Sequence, residues 1–287
     1  MRIAYVNGSY QHNSEASVHI EDRGYQFADG IYEYIAFYNR KMVDGELHLA
    51  RLERSLKAMN IDMPMSRAAM NIVIRELIQR NGREDGGLYM QITRGVARRD
   101  HPFPKNVRPA FVMTVCGAKI PKAYEVEKGV HVITQPDLRW KRCDVKSVGL
   151  LANVMAKQAA SARKMREAWL LSDSNEVTEG SVSNAYIVSK GGELITHHAD
   201  NQILSGVTRD MVLRLARKAG VKVAERPFNL LEAYDAAEAF ITSTSANVLP
   251  VVSINDKPVG EGKPGPVSQK LLSLYLQHIY EQTGKRL

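Results

Sequence analysis

Pro121 stands in Ala118-Lys119-Ile120-Pro121-Lys122 and interrupts both hydrophobic periodicities that run through this chain. A proline lacks a backbone N–H and restricts the residue before it, so neither a helix nor a strand ladder is expected to run through that point. With polar flanks on both sides, the segment reads as a linker, and 287 residues are enough for two domains that each bury a core. The expected division is a small N-terminal α+β domain over 1–118, a linker over 119–127 and a larger domain over 128–287.

The two halves are patterned differently. Asn7-Gly8 between short apolar stretches predicts a hairpin over residues 2–11. Strands are expected near 31–38, 87–94 and 108–116, with amphipathic helices near 47–60 and 66–81. The first helix places Leu49, Leu52, Leu56 and Met59 on one face, and the second ends at Asn81-Gly82. Beyond the linker, strands dominate: 129–135, 167–172, 183–189, 193–196, 222–226, 238–243 and 248–254, with helices near 149–165, 207–219 and 267–282.

Composition bounds the function. With 44% hydrophobic and 24% charged residues the chain is of the soluble globular class, and it contains no apolar run long enough to span a bilayer. No charged head followed by an apolar stretch opens the sequence, so a cytoplasmic protein is expected. The net charge of +8 raises nucleic acid as a partner, but the cations are dispersed among acids, as in Arg83-Glu84-Asp85, and no nucleic-acid surface is expected. Cys116 and Cys143 are too few for a disulfide framework and lack zinc-site spacing, so they read as free thiols and no metal is expected.

Two segments carry chemistry. Lys146 lies in Asp144-Val145-Lys146-Ser147-Val148-Gly149-Leu150-Leu151-Ala152-Asn153, and Glu179 in Glu176-Val177-Thr178-Glu179-Gly180-Ser181-Val182-Ser183-Asn184. A lysine that forms a Schiff base needs a neutral amine, and a pyridine ring that accepts electrons needs a carboxylate to keep its nitrogen protonated. Together the pair suggests a pyridoxal-phosphate enzyme. Ser205-Gly206 ahead of the helix beginning near Val207 offers backbone N–H groups for a phosphate, and Thr242-Ser243-Thr244-Ser245 ends a strand with further hydroxyls.

These segments, with Asp22-Arg23-Gly24-Tyr25-Gln26-Phe27-Ala28-Asp29-Gly30-Ile31-Tyr32-Glu33 and His48-Leu49-Ala50-Arg51-Leu52, follow one another in an order that resembles the fold-type IV aminotransferases, most closely the D-amino-acid aminotransferase branch. The resemblance covers essentially the whole chain. It implies a two-domain α+β fold, with a smaller N-terminal α/β sandwich and a larger C-terminal pseudo-barrel. It also implies pyridoxal 5'-phosphate as cofactor, D-amino acids and 2-oxo acids as substrates, and a homodimer with shared active sites. Carried over by position, Lys146 holds the cofactor covalently and moves the proton, Glu179 pairs with the pyridine nitrogen and Leu204 supports the ring. Arg51, Gly206, Val207, Thr208, Ser243 and Thr244 form the phosphate cup.

Thr93-Arg94-Gly95-Val96-Ala97-Arg98-Arg99-Asp100-His101-Pro102-Phe103-Pro104 resembles the Arg-x-His element of the D-amino-acid branch, which makes Arg99 and His101, with Tyr32, the implied trap for a substrate carboxylate. Arg98 stands beside Arg99 where that branch usually has an uncharged residue, so either guanidinium is a candidate. A branched-chain L-aminotransferase, an (R)-amine transaminase and an aminodeoxychorismate lyase share the lysine, glutamate and cup. The Arg99/His101 loop argues against all three.

Overall fold

The computed structural model describes residues 2–287, which form two compact units. One comprises the described residues up to Lys119 together with Val145–Gly149 and Glu281–Lys285; the other comprises Ile120–Asp144, Leu150–Tyr280 and Arg286–Leu287. A contiguous division was expected, and two short segments depart from it. Specific hydrogen bonds group them with the first unit: Tyr32 N–H donates to the Lys146 carbonyl at 2.9 Å, Val148 N–H to Gly30 at 3.1 Å, and the Asn39 side chain to the Thr283 carbonyl at 3.1 Å.

The first unit runs β1 (Ile3–Val6), β2 (Ser9–His12), α1 (Arg23–Phe27), β3 (Gly30–Tyr38), β4 (Lys41–Met42), α2 (Gly45–Ala58), α3 (Arg67–Arg80), β5 (Gly86–Thr93) and β6 (Ala110–Cys116). Its sheet has the order β2-β1-β6-β5-β3-β4, and every pair in it is antiparallel. Asn7 and Gly8 both take positive φ (47° and 100°), which suits the right-handed strand twist and closes the expected hairpin in two residues. The apolar stripes of α2 and α3 are buried in one core with the sheet, Leu49, Leu52, Leu56, Ile74 and Leu77 meeting Ile35, Leu88, Met90 and Met113. Each such side chain contributes about 1.5–3 kcal/mol. The stripe sets which side of α2 faces β3, and with it where His48 and Arg51 go.

The second unit runs α4 (Ala123–Lys128), β7 (Val130–Pro136), α5 (Leu151–Ala162), β8 (Glu167–Leu171), β9 (Val177–Gly180), β10 (Asn184–Val188), β11 (Leu194–Thr196), α6 (Val207–Lys218), β12 (Val223–Glu225), α7 (Leu230–Asp235), β13 (Glu238–Ser243), β14 (Asn247–Ile254), β15 (Lys257–Pro258) and α8 (Pro266–Thr283). The sheet order is β12-β11-β10-β13-β14-β7-β8-β9, with β15 on β14. Although β9 is an edge strand five places from β10 in that order, the two approach each other, joined only by Ser181–Ser183. The sheet therefore curls back on itself, as a pseudo-barrel requires.

The long elements lie close to their expected positions. The short helices α1, α4 and α7 did not show in the periodicity, because five or six residues complete only about one and a half turns. Helix α4 occupies most of what was expected to be linker, with the Lys122 N–H donating to the Glu125 carboxylate at 2.8 Å.

Candidate functional site

On β3 the side chains alternate, so Tyr32 and Glu33 point to opposite faces. Lys146 lies alongside Tyr32: its Nζ is 3.1 Å from the phenol oxygen and 4.2 Å from the ring centroid, and its N–H donates to Ser55 Oγ at 3.3 Å. Ser147 forms an isolated bridge with Ile31. Thus backbone pairing with β3, rather than a helix or a free loop, aims the half-buried amine.

Opposite Tyr32, Glu33 is fully buried. It accepts from Arg51 Nε at 2.9 Å and Nη2 at 2.6 Å, and from His48 Nδ1 at 3.0 Å. His48 and Arg51 are three residues apart on α2, so both project toward the same strand. Burial would raise the Glu33 pKa, but the Arg51 guanidinium and His48 outweigh it and hold the carboxyl well below its usual range. Burial pushes His48 down. Arg51, expected as a phosphate ligand, is therefore already held on two sides by a carboxylate that sequence reasoning did not assign.

Arg98, Arg99 and His101 lie on the exposed connection between β5 and β6. Arg99 stacks over Phe27 at 4.5 Å and donates to the Gln26 carbonyl at 3.3 Å. The His101 ring lies 5.5 Å from the same phenyl ring. Phe27 thus gathers Arg99 and His101 on one support.

In the second unit Glu179 lies at the end of β9 and is buried. The Leu204 N–H reaches its two oxygens at 3.1 and 3.2 Å, and Asn184 Nδ2 donates to Oε2 at 3.0 Å. The buried Arg139 closes the cluster with a short ion pair to Glu179. Arg139 also grips Asp137 through two bonds, Nε to Oδ1 at 2.8 Å and Nη2 to Oδ2 at 2.6 Å. One guanidinium therefore serves two carboxylates. The outcome is unequal: despite burial, Arg139 keeps Asp137 below its usual range, whereas burial pushes Glu179 up and Arg139 offsets this only in part. Neither Asp137 nor Arg139 was assigned from sequence, since no local pattern ties them to a glutamate 40 residues on.

The expected phosphate cup also takes shape in this unit. Gly206 is the N-cap of α6 with no side-chain cap bond, which leaves the first N–H groups of the helix, including those of Val207 and Thr208, without intrahelical partners. A Cβ at Gly206 would fall 2.1 Å from Asn184 Oδ1, so only glycine fits there. Helix α6 packs against β13, which ends at Ser243. Ser243 Oγ accepts the Ala246 N–H at 3.0 Å, shaping a turn in which Thr244 is half-buried. Near α6, His197, His198 and Asp200 bring potential ligand atoms within 4.8 Å of one another. His197 Nδ1 lies 2.8 Å from the His198 carbonyl, to which it donates.

Residues 30–254 match the family Amino-transferase class IV. The chain belongs to that family. Among curated relatives, the D-alanine aminotransferase of Bacillus licheniformis is 41% identical over 279 residues, covering 97% of this chain and 98% of the relative. The D-alanine aminotransferase of Listeria monocytogenes serotype 4b (strain F2365) is 38% identical over 282 residues, covering 98% and 97%. Among solved structures, the branched-chain amino acid aminotransferase of Escherichia coli superposes with a TM-score of 0.90 at 22% identity, covering 98% of this chain and 95% of that one. The branched-chain amino acid aminotransferase of T.th., solved with pyridoxamine 5'-phosphate, gives 0.89 at 25%, covering 98% and 94%. This chain is accordingly a class IV aminotransferase with the fold-type IV architecture.

Proposed function

We propose that this aminotransferase moves the amino group of D-amino acids, such as D-alanine and D-glutamate, to a 2-oxo acid, 2-oxoglutarate or pyruvate, by a ping-pong mechanism with pyridoxal 5'-phosphate. The observation that carries the substrate reading is the joint seating of Arg99 and His101 on Phe27, in a chain 41% identical to a D-alanine aminotransferase. A guanidinium beside an imidazole offers several donors to a planar carboxylate. Arg99, rather than Arg98, is the guanidinium with that support.

The residues fit the cofactor. The Glu179–Arg139–Asp137 cluster has two carboxylates, one buried and one half-buried, for one guanidinium, an excess of one negative charge that a protonated pyridine nitrogen would balance. Lys146 would hold the cofactor at its aldehyde carbon, and Leu204 would support the ring. The amides at the start of α6 from Gly206 to Thr208, the hydroxyls of Ser243 and Thr244, and Arg51 would hold the phosphate. When bound, the cofactor supplies an electron sink that acidifies the substrate Cα–H and carries the amino group between half-reactions.

The protein's part is proton placement. With the cofactor bound, Glu179 would keep its ring nitrogen protonated, and the Lys146 amine would take up and return the substrate α-proton. Tyr32 holds that amine by its hydroxyl at 3.1 Å. The carboxylate trap orients the Cα–H toward Lys146 and so selects the enantiomer. A homodimer is supported by Leu151, Val154 and Met155, which lie on one side of α5 and are 59–74% exposed. A cytoplasmic location is consistent with the two free cysteines.

The test is a spectral half-reaction. The cofactor-loaded protein is mixed separately with D-alanine, L-leucine and (R)-1-phenylethylamine, and loss of the visible absorbance band is followed. Fast loss with D-alanine and little with the others is expected. Preference for L-leucine would favour the branched-chain reading and would overturn the D-amino-acid one.

A further inference from the structure

The loop carrying Arg99 and His101 is exposed, yet a carboxylate trap needs fixed geometry. Its anchorage lies beneath it. Arg23, on α1, is 3% exposed and Asp29 is 6% exposed. Arg23 Nε donates to Asp29 Oδ2 at 2.8 Å, Nη1 to the Asp100 carbonyl at 2.6 Å and Nη2 to the His101 carbonyl at 3.3 Å. The same guanidinium lies 4.8 Å over Phe27, the ring on which Arg99 and His101 rest. The backbone follows the same path: Arg23 N–H donates to Gly95 at 2.9 Å and Ala97 N–H to Glu21 at 3.2 Å.

A second arginine fixes the Asp29 end. Arg94 donates to Asp29 through Nε at 2.8 Å and Nη2 at 3.0 Å, reaches the carbonyls of Asn60 and Met59 at 2.8 and 2.7 Å, and lies 3.6 Å over Phe103. Burial raises the Asp29 pKa, but its bonds to Arg94 and Arg23 outweigh this and keep it ionised. Two guanidiniums face one carboxylate, and their remaining donors go to neutral carbonyls on either side. The arrangement is a brace with three arms. Arg23 holds the tip of the loop, Arg94 holds its stem to the end of α2, and Asp29 locks the two together. A planar fork presents donors to a carboxylate and two carbonyls from three separate nitrogens, whereas a lysine presents its three from one nitrogen on a flexible stem.

We propose that Arg23, locked by Asp29, is the positioning residue of the carboxylate trap: by holding the Asp100 and His101 carbonyls it sets where Arg99 and His101 present their donors. This rests on the reading of Arg99 and His101 given above. It concerns recognition of the substrate carboxylate alone and leaves the proton transfer at Lys146 untouched.

The experiment uses two small amine nucleophiles that consume the visible band of the cofactor-loaded protein without needing a D-configured carbon. Aminooxyacetate bears a carboxylate, and methoxyamine does not. In R23K the aminooxyacetate rate is expected to fall about tenfold, the loss of one charge-assisted bond, with the methoxyamine rate unchanged. Cofactor content should stay within about 20% of wild type, and hydrogen exchange over 97–104 should accelerate. R23Q is a second variant expected to show the same selective pattern; it leaves Asp29 paired with Arg94 and keeps the test open if R23K folds poorly. In an R99A background R23K should have a smaller effect, confined to what acts through His101, because Arg23 acts through that loop. Equal slowing of both nucleophiles, or none of either in R23K and R23Q, would overturn the proposal. If R99A leaves the preference for aminooxyacetate intact, the trap reading fails first. If R99A removes it and R23K does not, the trap stands and Arg23 is no part of it.

Discussion

Two buried glutamates, one in each unit, have opposite electrostatic settings. Glu33 faces a guanidinium and a histidine; Glu179 shares one guanidinium with Asp137. The first is pulled below the usual carboxylate range, and the second is pushed above it. Burial acts on both alike, so the number of cations per acid decides the sign. Glu33 is finished by its own protein neighbours, as suits a residue that orients Arg51. Glu179 leaves a negative charge unbalanced, as suits a residue that waits for a cationic ring nitrogen.

The largest effect should come from breaking the finished side. E33Q leaves Arg51 buried without its counter-charge and should cost about 3 kcal/mol of unfolding free energy, measured by denaturant titration, with weaker cofactor retention as a consequence. A loss below about 1 kcal/mol would mean that Arg51 re-pairs and that Glu33 is not its anchor. E179Q should act on turnover instead, lowering kcat about 10²- to 10³-fold in the loaded enzyme. Unchanged kcat would remove Glu179 from the electron-sink role.

The comparison also predicts opposite pH dependence for the cofactor-free protein. The depressed Glu33 contributes stability that is present above the unfolded value of about 4.3 and is lost as pH falls below it toward the folded value. The raised Glu179 contributes stability that is present below that unfolded value and is lost as pH rises through its folded value. E179Q should therefore stabilise the cofactor-free protein at pH 8 by about 1 kcal/mol, or roughly 2–4 °C in Tm, while lowering turnover of the loaded form. A destabilised E179Q apoprotein would show that Arg139 needs both acids. The smallest effect calibrates the scale: K190Q removes a surface ion pair with Asp235, both partners being at least 70% exposed, and should change stability by less than about 0.5 kcal/mol.

Much of this molecule is determined by local sequence. The Asn7-Gly8 turn needs only two residues that accept positive φ, the buried face of α2 needs only its own leucine spacing, and Gly206 reads as a helix start because glycine is tolerated at an N-cap. Lys146 and Glu179 stand out in sequence because each lies in an ordered motif whose chemistry is specific. The partners that tune them do not. Glu33 meets Arg51 across 18 positions, Arg139 meets Glu179 across 40 and Arg23 meets the Asp100 carbonyl across 77. Periodicity and propensity act over one or two turns of chain. Which acid meets two basic groups, and which must share one guanidinium, is settled only when distant segments are packed out of water and every buried charge has to find its neighbour.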